Sequence, residues 1–260
     1  MKKLILILSM VLSVFAAVAC GNSVKDAETT EVIVFAAASM TETLTEISER
    51  YKEIAPEVTL IFNFDSSGTL KTQIEEGAAC DLFISAGQKQ MDELACVEMD
   101  TRMDLLENKV VLAVSDDHQK EIASFDDMAE GLQSGSILLA MGNSDVPVGQ
   151  YTQRILTYYG LAEEKLARAG VITYGSNVKE VTTQVKEGAV DCGIIYCTDA
   201  FSADLHIVDA AEEAMCGQVI YPAAVMQTSL HKEEAKDFLD YLTSAEAMSV
   251  FETVGFTDVE

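Results

Sequence analysis

The feature that most limits what this chain can fold into is its regular alternation of short apolar runs with capped, amphipathic helical stretches. EVIVFAAA reads as a buried strand, and behind it Met40, Leu44, Ile47, Tyr51 and Ile54 fall on one helical face. Ser39 and Glu42 of SMTE have the spacing of a capping box for that helix. VTLIFNF reads as the next strand, and LKTQIEEG as a short helix stopped at Gly77. CDLFISA, NKVVLAV and SILLAMG are further strands, separated by the helical stretches QKQMDELAC and SFDDMAEGL. Pro147 suits a first helical turn and Gly160 a helix end. Asn177 and Glu180 repeat the cap spacing ahead of an inward row of Val178, Val181 and Val185. AVDCGIIYC and QVIYPAAVM are late strands, and HKEEAKDFLDYL and TSAEAMSVFETVG close the chain as helices. Such alternation predicts an α/β protein with parallel sheets covered by helices.

In sheets of this type, ligands sit beyond the carboxyl ends of strands, where helix N-termini converge. Four strand-to-helix turns are placed for that role: Ala38–Ser39, Ser66–Ser67–Gly68, Val146–Pro147–Val148–Gly149 and Ser176–Asn177–Val178. Each offers backbone N–H groups with no intrahelical partner, and two add a serine hydroxyl. A helix N-terminus carries about half a positive charge, so several aimed at one point suit an anion without any formal cation. Taken singly, each turn is no more than a capped helix.

The chain's charge sits oddly with an anion site. It has 43 acidic residues against 17 basic ones, a net charge of −26. That balance argues against nucleic acid and anionic lipid headgroups as partners. It does not argue against a small anion held at contact, because the global field is screened over about 8 Å at physiological salt. Lys71 and Lys179 read as solvent-facing. Asp65, just before the serines, would oppose an anion if it pointed inward, and is expected to turn away or to bond local backbone.

The first twenty residues, MKKLILILSMVLSVFAAVAC, have two lysines, an apolar run and small residues ending at Cys20. They read as a secretory signal over 1–19, too short for a stable membrane span. AVAC–Gly is similar to a bacterial lipoprotein cleavage box, with Cys20 as the lipidated N-terminus and residues 20–30 as a polar tether. The remainder is long enough for one large domain or two lobes. Five further cysteines, Cys80, Cys96, Cys192, Cys197 and Cys216, form no C-x-x-C and are expected as buried free thiols; no metal site is expected. An exported hydrolase is the reading from another class. There is no G-x-S-x-G or H-E-x-x-H, and His118, His206 and His231 are scattered.

Four collinear segments carry a resemblance: VFAAASMTETLTEI, FNFDSSGTLKTQIEEGAACDLFISA, GNSDVPVGQYTQRIL and NVKEVTTQVKEGAVDCGIIYCTDA. In order and spacing, from about residue 31 to 256, they resemble the substrate-binding proteins of molybdate ABC importers. The resemblance implies a two-lobed, type II periplasmic-binding-protein-like α/β fold, with mixed, mostly parallel sheets flanked by helices and the ligand in the cleft between lobes. It implies lobe 1 over 31–109 plus 226–260 and lobe 2 over 110–225. It further implies molybdate or tungstate held by Ser39 and Ser67 hydroxyls, Val148 and Val178 backbone N–H groups and the Tyr196 hydroxyl. It implies no cofactor and no catalysis, an ABC permease as partner, and an exported monomer tethered to the membrane through Cys20. Three features depart from the family's pattern: valine at 148 where alanine is common, GNSDVP for an aspartate–proline loop, and Asp65 at a place often small or neutral. They leave sulfate or phosphate open as the ligand.

Overall fold

The computed structural model describes residues 29–115 and 121–259; the signal stretch, Cys20 and His118 lie outside them. Two five-stranded sheets organise the chain. The first has β1 (Thr30–Ala37), β2 (Val58–Asp65), β3 (Leu82–Ile84), β4 (Met103–Asn108) and β10 (Val219–Val225), in the order β2-β1-β3-β10-β4. Helices α1 (Thr41–Ile54), α2 (Ser67–Glu75), α3 (Gln88–Asp92), α10 (Lys232–Leu242) and α11 (Ala245–Thr253) belong to this lobe. The second sheet has β5 (Val110–Val114), β6 (Leu139–Gly142), β7 (Ile172–Gly175), β8 (Cys192–Tyr196) and β9 (His206–Ala210), in the order β7-β6-β8-β5-β9. Its helices are α4 (Phe125–Ser134), α5 (Pro147–Tyr158), α6 (Glu163–Ala169), α7 (Val178–Lys186), α8 (Cys197–Ala203) and α9 (Glu213–Cys216).

The two sheets share one plan. In each, three strands pair in parallel and the fourth in spatial order runs against them. That reversed strand is β10 in one sheet and β5 in the other, in each case the first strand after the chain changes sheets. β5, β8 and β10 are buried at every residue, as covered central strands should be, and each reads as a near-continuous apolar run.

Lys109 alone separates β4 from β5, so the single strand expected for NKVVLAV is broken where the chain crosses. The return crossing falls at Gly217–Gln218, before β10. The expected division at 225/226 is therefore eight residues late. Apolar content marks β10 as a strand but does not say which sheet it joins; its pairing with β3 and β4 does.

Most caps form as the spacing predicts. Ser124 accepts from Asp127 N–H and Asn177 from Glu180 N–H, each at 3.1 Å. Pro147 opens α5, and Gly160 follows its end at φ +67°. The Ser39–Glu42 capping box does not form. Ala38–Met40 make a 3₁₀ turn, α1 starts at Thr41 without a side-chain cap, and the Ser39 hydroxyl points elsewhere. Met40, Leu44, Ile47 and Tyr51 are buried as expected, whereas Ile54, the last residue of α1, is 58% exposed. All five described cysteines are free thiols; Cys192 begins β8, but Cys197 begins α8 instead of continuing the strand.

Candidate functional site

Strand ends and helix starts from both lobes meet at one small cavity, lined by Ser39, Ser67, Val178 and Tyr196 together with Asp65, Ala86 and Pro147. Four of the five residues expected to bind ligand are thus brought together. The fifth, Val148, is fully buried one residue inside Pro147, near the start of α5, where backbone N–H groups lack intrahelical partners. Among the described residues that line the cavity there is no lysine, arginine or histidine.

The adjacent serines divide the labour. Ser66 is the N-cap of α2: its Oγ accepts from Thr69 N–H at 3.1 Å. Ser67, the first helical residue, is fully buried, and its Oγ accepts from Ala86 N–H at 2.9 Å. One lone pair of that hydroxyl is therefore used, and its proton is free to point into the cavity. The Ser39 hydroxyl sits 2.9 Å from the Tyr221 hydroxyl. Across the cleft, Tyr196 Oη donates to Ala86 C=O at 3.4 Å, a long bond that a better acceptor would displace. Burial pushes the Tyr196 and Tyr221 phenols well above their ordinary range, so both stay protonated.

Asp65 bonds local backbone as expected, accepting from Ser66 N–H at 2.7 Å. The same oxygen, Oδ1, also accepts from Asn177 Nδ2 at 3.3 Å, which ties α7 to the other lobe. Lys71 pairs with Glu75 and Glu93 on the surface, each at 3.2 Å. Lys179 is not simply solvent-facing. Its Nζ lies 2.7 Å from Glu42 in lobe 1 and 3.2 Å from Asp199, a carboxylate whose side chain is fully buried in lobe 2. The Lys179 ammonium is the cation that faces this buried carboxylate.

The lobes also approach through backbone. A Cβ added to Gly68, in the first turn of α2, would stand 2.1 Å from the Asp145 carbonyl oxygen. Glycine is what lets α2 and the GNSDVP loop touch, so the unusual loop has its counterpart in the S-S-G turn.

Reading the sequence alone missed Tyr221, Asn108, Ala86 and Asp199. Tyr221 lies 182 residues from Ser39. Strand parity would have put it on one face of β10, but no local signal pairs it with a serine after β1.

Comparison with known proteins agrees with this architecture. A protein of Bacillus subtilis (strain 168), YvgL, whose name places it among ABC transporter substrate-binding lipoproteins, is 36% identical over 230 residues, covering 86% of this chain and 85% of its own. The molybdate-binding protein ModA of Escherichia coli (strain K12) is 34% identical over 248 residues, 91% of this chain and 92% of its own. A solved substrate-binding domain from a molybdenum ABC transporter of Clostridium difficile superposes with a TM-score of 0.66 at 34% identity, over 89% of this chain and 100% of that one. Residues 32–257 match the family described as bacterial extracellular solute-binding protein. With both lobes, the cleft and nearly the whole length accounted for, the chain belongs to that family.

Proposed function

We propose that this protein captures molybdate outside the cytoplasm and hands it to an ABC permease. The observation that carries this reading is the cavity where both lobes present neutral proton donors and no cation. A fully deprotonated tetrahedral dianion has four acceptor oxygens and no proton to give, so hydroxyl and backbone N–H donors can satisfy it without a cation. The relative named for molybdate and the solved domain named for molybdenum transport support the choice of anion. Tungstate, of the same charge and nearly the same size, should bind about as well.

Phosphate at neutral pH keeps a proton part of the time and needs an acceptor. Asp65 is the carboxylate at hand, but its Oδ1 already serves Ser66 N–H and Asn177 Nδ2. Sulfate has the right charge but shorter bonds to oxygen, and donors set for a larger anion cannot all reach it. The relatives named as substrate-binding or molybdate-binding proteins support a binder that does no chemistry. The protein acts as a monomer, anchored through a lipid on Cys20; expression in a lipoprotein-processing host, with Cys20→Ser as control, should show detergent partition of the first and not the second. Equilibrium dialysis of residues 29–260 against molybdate, tungstate, sulfate and phosphate tests the ligand. Retention of the first two and weak retention of the others is expected; sulfate or phosphate retained as tightly as molybdate would refute the reading.

A further inference from the structure

We propose that Tyr221 orients the Ser39 hydroxyl, so that this serine meets the ligand only as a proton donor. The inference rests on the oxyanion reading and names a positioning residue behind the ligand-binding shell.

The direction of each proton follows from a chain of buried contacts that starts at the crossing between lobes. Lys109 N–H donates to Asn108 Oδ1 at 2.7 Å, which fixes which end of the Asn108 amide is oxygen. Asn108 Nδ2 then has two hydrogens and two acceptors, Thr198 Oγ1 at 3.1 Å and Tyr221 Oη at 3.2 Å. Tyr221 Oη, having accepted, still has its own proton to give; Ser39 Oγ lies 2.9 Å away, a contact in which either hydroxyl can donate, and we take the phenol as donor. Ser39 Oγ, having accepted in turn, has its proton free to aim at the cavity. Every bond from Lys109 to Ser39 points the same way, and aligned bonds polarise one another. Water does not compete along the chain: Tyr221 is fully buried, and Thr198, Asn108 and Ser39 are 1%, 2% and 4% exposed. Ser67 reaches the same state more simply, through the Ala86 N–H.

Tyr221→Phe removes only the hydroxyl and keeps the ring's edge contacts with Tyr196 and Phe256, at centroid distances of 5.7 and 5.2 Å. Isothermal titration with sodium molybdate should be run on wild type, Tyr221→Phe, Ser39→Ala and the double variant. Thermal melting of each should confirm folding. If Tyr221 acts through Ser39, its loss weakens binding about tenfold in the wild-type background and by less than about twofold when Ser39 is already alanine. A merely structural role would cost the same in both backgrounds, and that outcome overturns the proposal, as does an undiminished affinity in Tyr221→Phe. Asn108→Ala supplies a second route if Tyr221→Phe does not fold. It frees the phenol oxygen to accept from Ser39, and should cost about threefold with Ser39 present and nothing with Ser39→Ala; equal losses overturn the proposal here too. A wild type that binds none of molybdate, tungstate or sulfate overturns the oxyanion reading and this inference with it.

Discussion

The two lobes are built on one sheet plan yet reach the cavity with different chemistry. Lobe 1 presents two side-chain hydroxyls, Ser39 and Ser67, each held by a second group that occupies an acceptor lone pair. Lobe 2 presents the starts of α5 and α7, where first-turn backbone N–H groups have no intrahelical partner, and Val146, Pro147, Val178 and Tyr196 line the same cavity. A hydroxyl rotates and must be told where to point; a backbone N–H in a first helical turn cannot turn away. The difference explains why lobe 1 carries a buried polar network behind its serines and the valines of lobe 2 need none. It also means that side-chain substitution should damage the two halves of the site unequally.

The largest expected effect comes from keeping the lobes apart. In Gly68→Ala, the new methyl would meet the Asp145 carbonyl of the other lobe. Alanine suits the α2 helix better than glycine, so the fold itself should not suffer. Molybdate affinity should fall on the order of 100-fold, because only the open form is relieved of the clash. Small-angle scattering should show compaction on adding ligand to wild type and little in this variant.

Next come the hydroxyls of lobe 1. A hydrogen bond to a charged partner is worth roughly 1.5–3 kcal/mol, so Ser39→Ala and Ser67→Ala should each weaken molybdate binding by about 10- to 150-fold in titration calorimetry. In lobe 2, Val148→Ala keeps the backbone donor and should change affinity by less than about threefold. Lys71→Ala, which removes a surface charge paired with Glu75 and Glu93, should do no more.

Much of this was legible in the sequence, and the losses have physical causes. Local signals carried furthest: caps at Ser124 and Asn177, Pro147 at a helix start, and the apolar runs of β5, β8 and β10 all depend on neighbours within a few residues. Ser39 shows where local reading stops. Its spacing to Glu42 fits a capping box, but a tertiary partner, Tyr221, takes the hydroxyl instead. The same limit hid the sheet assignment of β10 and the bridge from Lys179 to Glu42, 137 residues apart. Motif resemblance supplied the cluster of Ser39, Ser67, Val178 and Tyr196; it could not supply the residues that hold those donors in place.

The lobes also differ in how they bury a carboxylate. Asp81 in lobe 1 is held by neutral donors, Ile33 N–H at 2.8 Å and Ser229 Oγ at 2.6 Å. Asp199 in lobe 2 relies on Lys179. Burial pushes the Asp199 carboxyl up to about 6, against the pull of the nearby Lys179 ammonium. A carboxyl raised on folding contributes stability that is full below about pH 4 and lost as pH rises through about 6, a change of up to about 3 kcal/mol. Asp199→Asn abolishes that titration. The melting temperature of the variant, relative to wild type, should therefore rise between pH 4.5 and 7.5; a constant difference would show that Asp199 does not titrate in this window.

Position 178 tests most directly the claim that neutral donors from both lobes hold the anion. Val178 is the first residue of α7, a place where proline is tolerated, and Asn177 before it is already extended. Val178→Pro therefore deletes one N–H and leaves the helix, while Val178→Ala deletes side-chain bulk and leaves the N–H. Titrated with molybdate, the alanine variant should bind within about threefold of wild type, and the proline variant about 10- to 150-fold more weakly. Equal affinities for the two variants would contradict a backbone donor at this helix start, and with it the account of how lobe 2 takes part.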